Sequence, residues 1–181
     1  MRLFIALEIP DDIKKELSGL MSIPDDIAKV KWVEEKNIHL TLKFLGDVEE
    51  DKAENTVSAL RSVKFDNFKC KVMDFGAFPN EDCIKVLWAG IEPHEEVTDL
   101  RRKIDAVLKP LGFQKDSKFH PHVTIGRVRF VEDKKRLKEW MSNLKGTGFE
   151  KQFEAGKFVL MRSKLGSDGP VYEDIQSYLF R

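Results

Sequence analysis

Residues 37–46 read NIHLTLKFLG, and residues 120–129 read HPHVTIGRVR. Each stretch alternates apolar and polar residues, which is the pattern of a half-buried β-strand. Each also contains the order His, apolar residue, Thr, apolar residue, and the two histidines, His39 and His122, lie 83 residues apart. Strand and helix patterns fill the interval between them. The repetition predicts a duplicated structural unit.

The spacing within each motif places two functional groups side by side. On a strand, residues i and i+2 project to the same side, about 6 to 7 Å apart along the chain. His39 therefore lies beside Thr41, and His122 beside Thr124. Pseudo-twofold packing of the two units would bring these pairs face to face. We expect two imidazoles around one small cavity, each with a hydroxyl next to it.

Two imidazoles around one cavity suit transfer at a phosphodiester. One removes a proton from the nucleophile, and the other donates a proton to the leaving oxygen. Histidine fits both tasks because its ordinary pKa near 6.5 keeps both protonation states available near neutral pH. The threonine hydroxyls would donate hydrogen bonds to the non-bridging phosphate oxygens, where charge develops. This chemistry requires neither a metal nor a cofactor.

Composition limits the classes of function. The 181 residues include 31 basic and 31 acidic side chains, so no global charge attracts the protein to nucleic acid. The length and a hydrophobic fraction of 41% predict a packed single domain that spans residues 1–181. The longest apolar runs are only a few residues, so no membrane span and no membrane partner are expected. The opening MRLFIALEIP resembles a strand rather than a secretory signal, which predicts a cytoplasmic protein.

Four blocks of the sequence resemble a known family. They are RLFIALEIP at 2–10, KWVEEKNIHLTLKFLGDV at 31–48, FHPHVTIGRVR at 119–129 and MRSKLGSDGPVY at 161–172. The chain resembles the RNA 2',3'-cyclic phosphodiesterases, also called 2'-5' RNA ligases, of the two-histidine phosphoesterase superfamily. The resemblance implies an α+β fold of two pseudo-symmetric lobes, with antiparallel sheets lining a central cleft and helices on the outside.

The resemblance also implies an activity and its residues. The activity is opening of a 2',3'-cyclic phosphate on an RNA end to leave a 2'-phosphate, with weak reversible joining of tRNA halves through a 2'-5' linkage. His39 and His122 match the catalytic histidines, and Thr41, Thr124 and Arg127 match the residues that hold the phosphate. Analogy assigns His39 as the acid beside O3' and His122 as the base, an assignment that the sequence leaves open. A monomer is expected.

The direction of Arg127 depends on a detail of its strand. Strict alternation places Arg127 on the face opposite to His122, five residues earlier. A β-bulge at Gly126 would reverse this direction, and glycine is the residue that most easily permits a bulge. The phosphate-binding role of Arg127 therefore predicts a bulge at that point.

Alternation also governs the first motif strand. It places Lys43 on the same face as His39, and it places Phe44 in the core, in alternation with Leu42. The alternative for Phe44 is stacking on a nucleobase, because single-stranded RNA sites often use aromatic side chains. We expect the core position.

Other aromatic and basic residues are candidates for RNA binding. Trp32 and Tyr172 either stack on nucleobases or pack in the core. Between Lys115 and Lys138, eight basic residues accompany three acidic ones. The run Lys134, Lys135 and Arg136 within this segment is either a guide for the RNA backbone or an ordinary solvated helix face.

Three alternatives remain open at this stage. His120 projects to the same face as His122, so a metal site with His39 is conceivable, although Pro121 distorts the strand and no acidic or thiol ligand accompanies the histidines. The zero net charge also permits a small substrate, such as a cyclic phosphate of ADP-ribose or of a mononucleotide. The third alternative is a non-catalytic module that binds RNA ends through its histidines.

Overall fold

The structure is a computed structural model, and it describes residues 1–115, 119–166 and 169–181. The strands are β1 (Arg2–Glu8), β2 (Ala28–Trp32), β3 (His39–Asp47), β4 (Phe68–Asn80), β5 (Cys83–Glu92), β6 (His122–Val131), β7 (Glu150–Ala155), β8 (Lys157–Leu165) and β9 (Pro170–Leu179). The helices are α1 (Asp11–Leu20), α2 (Glu50–Leu60), α3 (His94–Leu108) and α4 (Lys134–Gly146). Short 3₁₀ turns cover Glu35–Asn37 and Lys109–Leu111.

Antiparallel pairing joins the strands into a curled sheet in two halves. The strand order is β7-β4-β5-β6-β3-β1-β8-β9, and β2 pairs with β6 beside this path. The halves meet where Leu40 of β3 pairs with Val123 of β6. The first lobe therefore contains β3, β1, β8 and β9, and the second contains β7, β4, β5 and β6. The predicted fold class, α+β with two pseudo-symmetric lobes, is confirmed.

The two lobes repeat one order of elements. The first lobe contains β1, α1, β3 and α2 in chain order, and the second contains β5, α3, β6 and α4 in the same order. In each lobe the two strands of the repeat pair antiparallel, β1 with β3 and β5 with β6. The duplicated unit predicted from the histidine motifs is thus present. Strand β2 departs from the repeat, because it lies between α1 and β3 in the chain but pairs with β6 of the other lobe.

Helices cover the outer side of the sheet and leave its inner side for a cleft. Along α3, Val97, Leu100, Ile104 and Leu108 are fully buried. Their spacing of three and four residues forms a single apolar stripe, and burial of each such side chain contributes roughly 1.5–3 kcal/mol. Among the described residues, no helix is long and apolar enough to cross a membrane.

Strand β6 contains the bulge that Arg127 requires. The pairing of β6 with β5 skips Ile125, so Thr124 and Gly126 oppose consecutive residues of β5. An additional residue reverses the faces of the residues that follow it. Arg127 is exposed and lies on the cleft side of the strand, as predicted.

Strand β3 contains a bulge at the equivalent place, which the sequence analysis missed. Its pairing with β1 skips Leu42, between Thr41 and Lys43. The predictions for the next two residues are therefore wrong. Lys43 is buried, with 3% of its surface exposed, whereas Phe44 is 69% exposed. Both errors have one physical cause, since the bulge exchanges the faces on which these side chains project.

Candidate active site

His39 opens β3, and hydrogen bonds hold both of its ring nitrogens. Its Nδ1 lies 2.7 Å from the backbone carbonyl oxygen of Asn37, and its Nε2 lies 2.9 Å from Oγ1 of Thr41. Because a carbonyl only accepts, Nδ1 carries the hydrogen in the neutral ring, and Nε2 accepts from the Thr41 hydroxyl. The local strand geometry therefore selects the tautomer and directs the basic nitrogen along the cleft.

Aromatic rings surround His39. Its ring centroid lies 5.0 Å from that of Phe4 and 5.3 Å from that of Tyr172, which meets it edge to face. Burial lowers the pKa of His39 to about 4, because the imidazolium loses its hydration. The Asn37 carbonyl acts in the opposite direction, and the nearby Lys14 lowers the pKa further. In the ligand-free cleft at pH 7, His39 is neutral.

His122 repeats this arrangement at the start of β6. Its Nδ1 lies 2.7 Å from the carbonyl oxygen of His120, again two residues earlier in the chain. The ring of Phe78 meets it edge to face, with the centroids 4.9 Å apart. Burial lowers the pKa of His122; the His120 carbonyl opposes this effect, and the charges of His120 and Arg127 add to it.

The pairing between the lobes brings the two motifs together. Leu40 pairs with Val123 in an antiparallel register. In that register His39 lies level with Thr124, and Thr41 lies level with His122. The two imidazoles and two hydroxyls predicted from the sequence therefore share one face at the junction of the lobes.

Arg127 stands at the edge of this group. Its charge adds to the effect of burial in lowering the pKa of His122. Burial raises the pKa of Tyr172, and the Arg127 charge partly opposes that rise. The guanidinium is therefore within electrostatic reach of both lobes. Lys31 of β2 pairs directly with Arg127 and adds a second exposed cation beside it.

Phe44 is the cleft residue that sequence reasoning placed wrongly. It follows His39 by five residues, as Arg127 follows His122, and a bulge precedes each of them. Its exposed ring lies 6.2 Å, centroid to centroid, from that of Phe4. Superposition of the two sequence motifs could have found it, because the arginine and the phenylalanine occupy the same offset.

Comparison with known proteins places this architecture in a family. The model of the LigT-like phosphoesterases matches residues 7–88 and, a second time, residues 90–172. The chain belongs to the LigT-like phosphoesterase family. The two matches start at equal distances before His39 and His122, in agreement with the duplicated lobes.

Individual LigT-like relatives cover the whole chain. A protein of Methanocaldococcus jannaschii named RNA 2',3'-cyclic phosphodiesterase is 37% identical over 178 residues, which are 98% of this chain and 100% of the relative. A protein of the same name from Archaeoglobus fulgidus is 33% identical, over 98% of this chain and 99% of the relative. The solved structure of TT0787 of Thermus thermophilus shares the fold with a TM-score of 0.78 at 24% identity, over 100% of this chain and 98% of that one.

The ligand-bound E. coli LigT also shares the fold. Its structure complexed with 3'-AMP has a TM-score of 0.77 at 20% identity, over 99% of this chain and 97% of that one. The phosphoesterase fold is therefore established from both sequence and structure.

The structure separates the two aromatic residues predicted to bind RNA. The β8–β9 hairpin brings Tyr172 to His39, because the Asn37 side chain donates a hydrogen bond of 2.9 Å to the Pro170 carbonyl. Trp32 instead points away from Arg127, with its ring 6.0 Å from that of Trp140 on α4. Its RNA-binding role stays a prediction.

The predicted basic run lies in the first turn of α4, where all three side chains are exposed. Arg136 pairs with Asp26 at 2.7 Å, and Lys135 approaches Glu139 at 4.0 Å. Lys134 lines a groove next to β5. Asp116 and Lys118, which belong to the same basic segment of the sequence, lie outside the described residues.

His120 lies among rings rather than among acidic groups. Its centroid is 4.9 Å from that of Trp88, 5.5 Å from that of His94 and 6.3 Å from that of His122. In the part of the chain that the structure describes, no group of three or more His, Cys, Asp or Glu side chains could hold a metal ion.

Proposed function

We propose that this protein hydrolyses 2',3'-cyclic phosphate ends of RNA to 2'-phosphates, with His39 and His122 as acid and base. One observation carries the proposal: both imidazoles have Nδ1 bound to a carbonyl two residues earlier, which leaves each Nε2 for proton transfer in one cleft. The LigT-like relatives named RNA 2',3'-cyclic phosphodiesterase, similar over their full length, support the choice of substrate.

The reaction moves one proton at each histidine. Nε2 of His122 takes a proton from water while the water oxygen forms a bond to phosphorus. The bond from phosphorus to O3' breaks on the opposite side, and Nε2–H of His39 gives its proton to O3'. The products are a 2'-phosphate and a 3'-hydroxyl. Exchange with solvent then restores a protonated His39 and a neutral His122.

Substrate binding supplies the protonated acid. His39 is neutral in the empty cleft, since burial lowers its pKa to about 4. A bound phosphodiester places a negative charge next to the ring and favours the imidazolium. Once Nε2 carries a hydrogen, Thr41 can no longer donate to it, so the Thr41 hydroxyl turns to the phosphate.

Other side chains hold the two parts of the substrate. Thr41, Thr124 and the Arg127 guanidinium bind the non-bridging phosphate oxygens, where charge develops in the transition state. The exposed ring of Phe44 stacks on the terminal nucleobase, and Tyr172 closes that side of the cleft. Stacking of this kind contributes about 1–3 kcal/mol per base.

The remaining predictions of the sequence analysis belong to this proposal. Residues 1–181 form a single bilobal domain that acts as a cytoplasmic monomer. tRNA halves are the candidate natural ends, and reversible 2'-5' ligation is the reverse of the same chemistry. The run Lys134, Lys135 and Arg136, together with Trp32, contacts the RNA beyond its end.

Product analysis tests the proposed function. A short RNA with a 2',3'-cyclic phosphate end is incubated with the protein, and the phosphate isomer is identified. We expect a 2'-phosphate, a loss of at least 10²-fold in His39→Ala and His122→Ala, and near wild-type rates in the control His94→Ala. A 3'-phosphate would place the acid beside O2' instead. Binding without turnover would support the non-catalytic module, and turnover of only a cyclic phosphate of ADP-ribose would support the small-substrate alternative.

A further inference from the structure

A row of exposed side chains continues from the cleft along the paired strands β2 and β6. We call Lys29, Lys31, Arg129 and Phe130 the basic ribbon. Lys31 pairs with Arg127, and Lys29 pairs with Phe130. The ribbon therefore begins at the residue proposed to hold the terminal phosphate and leads away from it.

The strand geometry places the whole ribbon on one face. In β2, Ala28 and Val30 pack toward the core, whereas Lys29 and Lys31 are exposed. In β6, the pairing with β2 skips Arg129, which forms another bulge. A bulge turns adjacent residues to the same side. Arg129 and Phe130 therefore both project away from the core, and 55% of the Phe130 surface is exposed.

Within the described part of the chain, the cations of the ribbon lack acidic partners. Among the described residues, none of Lys29, Lys31 and Arg129 forms an ion pair. Neighbouring cations on α4 are paired, for example Arg136 with Asp26 and Lys138 with Asp82. Unpaired cations on one face repel each other, and a row of phosphates would relieve that repulsion.

Phe130 lies at a surface groove with room for a nucleobase. It forms part of a groove of about 480 Å³, which lies in the usual range for ligand sites of about 300–1,000 Å³. Ile84, Val128 and Leu137 contribute apolar lining, and Lys85 and Lys134 contribute cations. Two acidic side chains also line the groove, Glu81 and Asp82, and they pair with Lys145 and Lys138. An exposed ring beside such a groove offers the stacking surface that sequence-independent RNA sites use.

The length of the ribbon matches a short piece of RNA. Phe130 and Arg127 pair with Lys29 and Lys31, which lie two residues apart in β2, and this spacing is about 7 Å at roughly 3.3 Å per residue. A stacked nucleic acid strand rises about 3.4 Å per nucleotide. Phe130 is therefore level with about the third nucleotide from the end that Arg127 holds.

We propose that the basic ribbon binds the RNA strand 5' to the cyclic phosphate, with Phe130 stacked on a base about three nucleotides from the end. This inference rests on the proposed function. RNA is the occupant that the observations favour, because the ribbon continues from the phosphate site and combines cations with an aromatic ring. An acidic peptide would use the cations alone.

A ladder of substrate lengths tests the ribbon. The substrates are 2',3'-cyclic phosphates of one, two, three, four and six nucleotides. In the wild-type protein, kcat/KM should rise with length and level off near the fourth nucleotide. Phe130→Ala should remove about tenfold of this gain and leave the mononucleotide unchanged, whereas Phe130→Trp should retain the gain. The control Leu179→Ala removes an even more exposed apolar residue from the edge strand β9, and it should behave as wild type.

Salt dependence tests the cations separately. Replacement of Lys29, Lys31 and Arg129 by Gln should lower the slope of log KM against log salt for the hexanucleotide by about 2, since each lost phosphate contact contributes about 0.7 for a single strand. The matched triple replacement of Lys15, Arg61 and Lys109 by Gln, on the helical side, should leave the slope unchanged.

Binding separates a failure of the ribbon from a failure of the proposed function. Fluorescence anisotropy with a 3'-phosphorylated hexanucleotide requires no turnover. One outcome is that the wild-type protein shows no hydrolysis while the Phe130→Ala replacement still weakens this binding about tenfold. In that case the proposed function is wrong and the RNA-binding role of the ribbon is supported. Three results would each overturn the ribbon proposal. They are the same kcat/KM at every substrate length, the same affinity of wild type and Phe130→Ala for the hexanucleotide, and displacement of the RNA by polyglutamate as readily as by unlabelled RNA.

Discussion

Phe44 and Arg127 occupy equivalent positions in the two lobes. Each lies five residues after a motif histidine, directly beyond a β-bulge, with its side chain exposed. One is an apolar ring and the other a cation, so the site is symmetric in its imidazoles and hydroxyls but asymmetric in these two exposed side chains. Under the proposed function, this asymmetry gives a nucleotide one preferred orientation, with its base toward Phe44 and its phosphate toward Arg127.

Replacement of Phe44 and replacement of Arg127 should affect substrates with and without a base differently. Phe44→Ala should raise KM for a cyclic mononucleotide about tenfold, because base stacking is lost, and should leave hydrolysis of ribose 2',3'-cyclic phosphate, which has no base, unchanged. Phe44→Trp serves as the control that keeps the ring. Arg127→Gln should slow both substrates equally. Steady-state kinetics on both substrates measure these effects. An equal loss of activity on both substrates in Phe44→Ala would contradict the stacking role.

The pH dependence follows from the lowered pKa values of both histidines. A general acid loses activity as pH rises through its pKa, and a general base loses activity as pH falls through its pKa. Burial lowers the pKa of His39 to about 4 and also lowers that of His122. The profile of kcat/KM, which reports the free enzyme, should therefore be a bell with its maximum below pH 6.5.

In the substrate complex, the phosphate charge raises both pKa values, so the kcat profile should be displaced toward neutral pH. Initial rates over a pH series measure both profiles. A curve that rises to an alkaline plateau would remove the histidine acid from the mechanism.

Chelation should leave the reaction unchanged. In the proposed mechanism the imidazoles transfer protons directly, and the phosphate contacts come from hydroxyls and a guanidinium, so no step needs a metal ion. Hydrolysis rates in excess EDTA should equal those in untreated buffer. A loss of activity that zinc or manganese restores would show that the mechanism is wrong.

Acid should destabilise the fold through His39. Its folded-state pKa, about 4, lies below the unfolded value of 6.5, so the unfolded chain binds the proton first. The free energy of unfolding should therefore fall as pH decreases from 6.5 to 4. Calorimetry over this range should show a smaller decrease of Tm for His39→Gln than for wild type, and parallel curves would contradict the buried neutral state.

Lys43 should stabilise the fold by neutralising the buried carboxylate of Asp105. The Lys43 ammonium lies 2.7 Å from Asp105 and 2.7 Å from the Gln114 carbonyl oxygen. Lys43→Met should cost roughly 3–5 kcal/mol in urea unfolding, because Asp105 keeps a buried charge without its cation. The double variant Lys43→Met with Asp105→Leu should recover part of this loss. A single variant as stable as wild type would show that the carboxylate does not depend on the pair.

The sequence by itself determined which side chains make up the candidate site. Alternation along a strand has a period of two, so the spacing of His39 with Thr41 places both side chains on one face in any fold that makes the strand. The repetition at His122 identified the second half-site and the duplicated lobes. Gly126 indicated the bulge that turns Arg127 into the cleft, because glycine is the residue that most easily permits a bulge.

Tertiary structure alone decided the features that depend on pairing between distant segments. The bulge at Leu42 has no glycine beside it, so it arises from the register with β1, and it sends Lys43 into the core and Phe44 into the cleft. Likewise β2 leaves its own lobe to pair with β6, which aligns Lys31 with Arg127. Register between strands depends on the packing of both partners at once, and no local pattern in either strand contains that information.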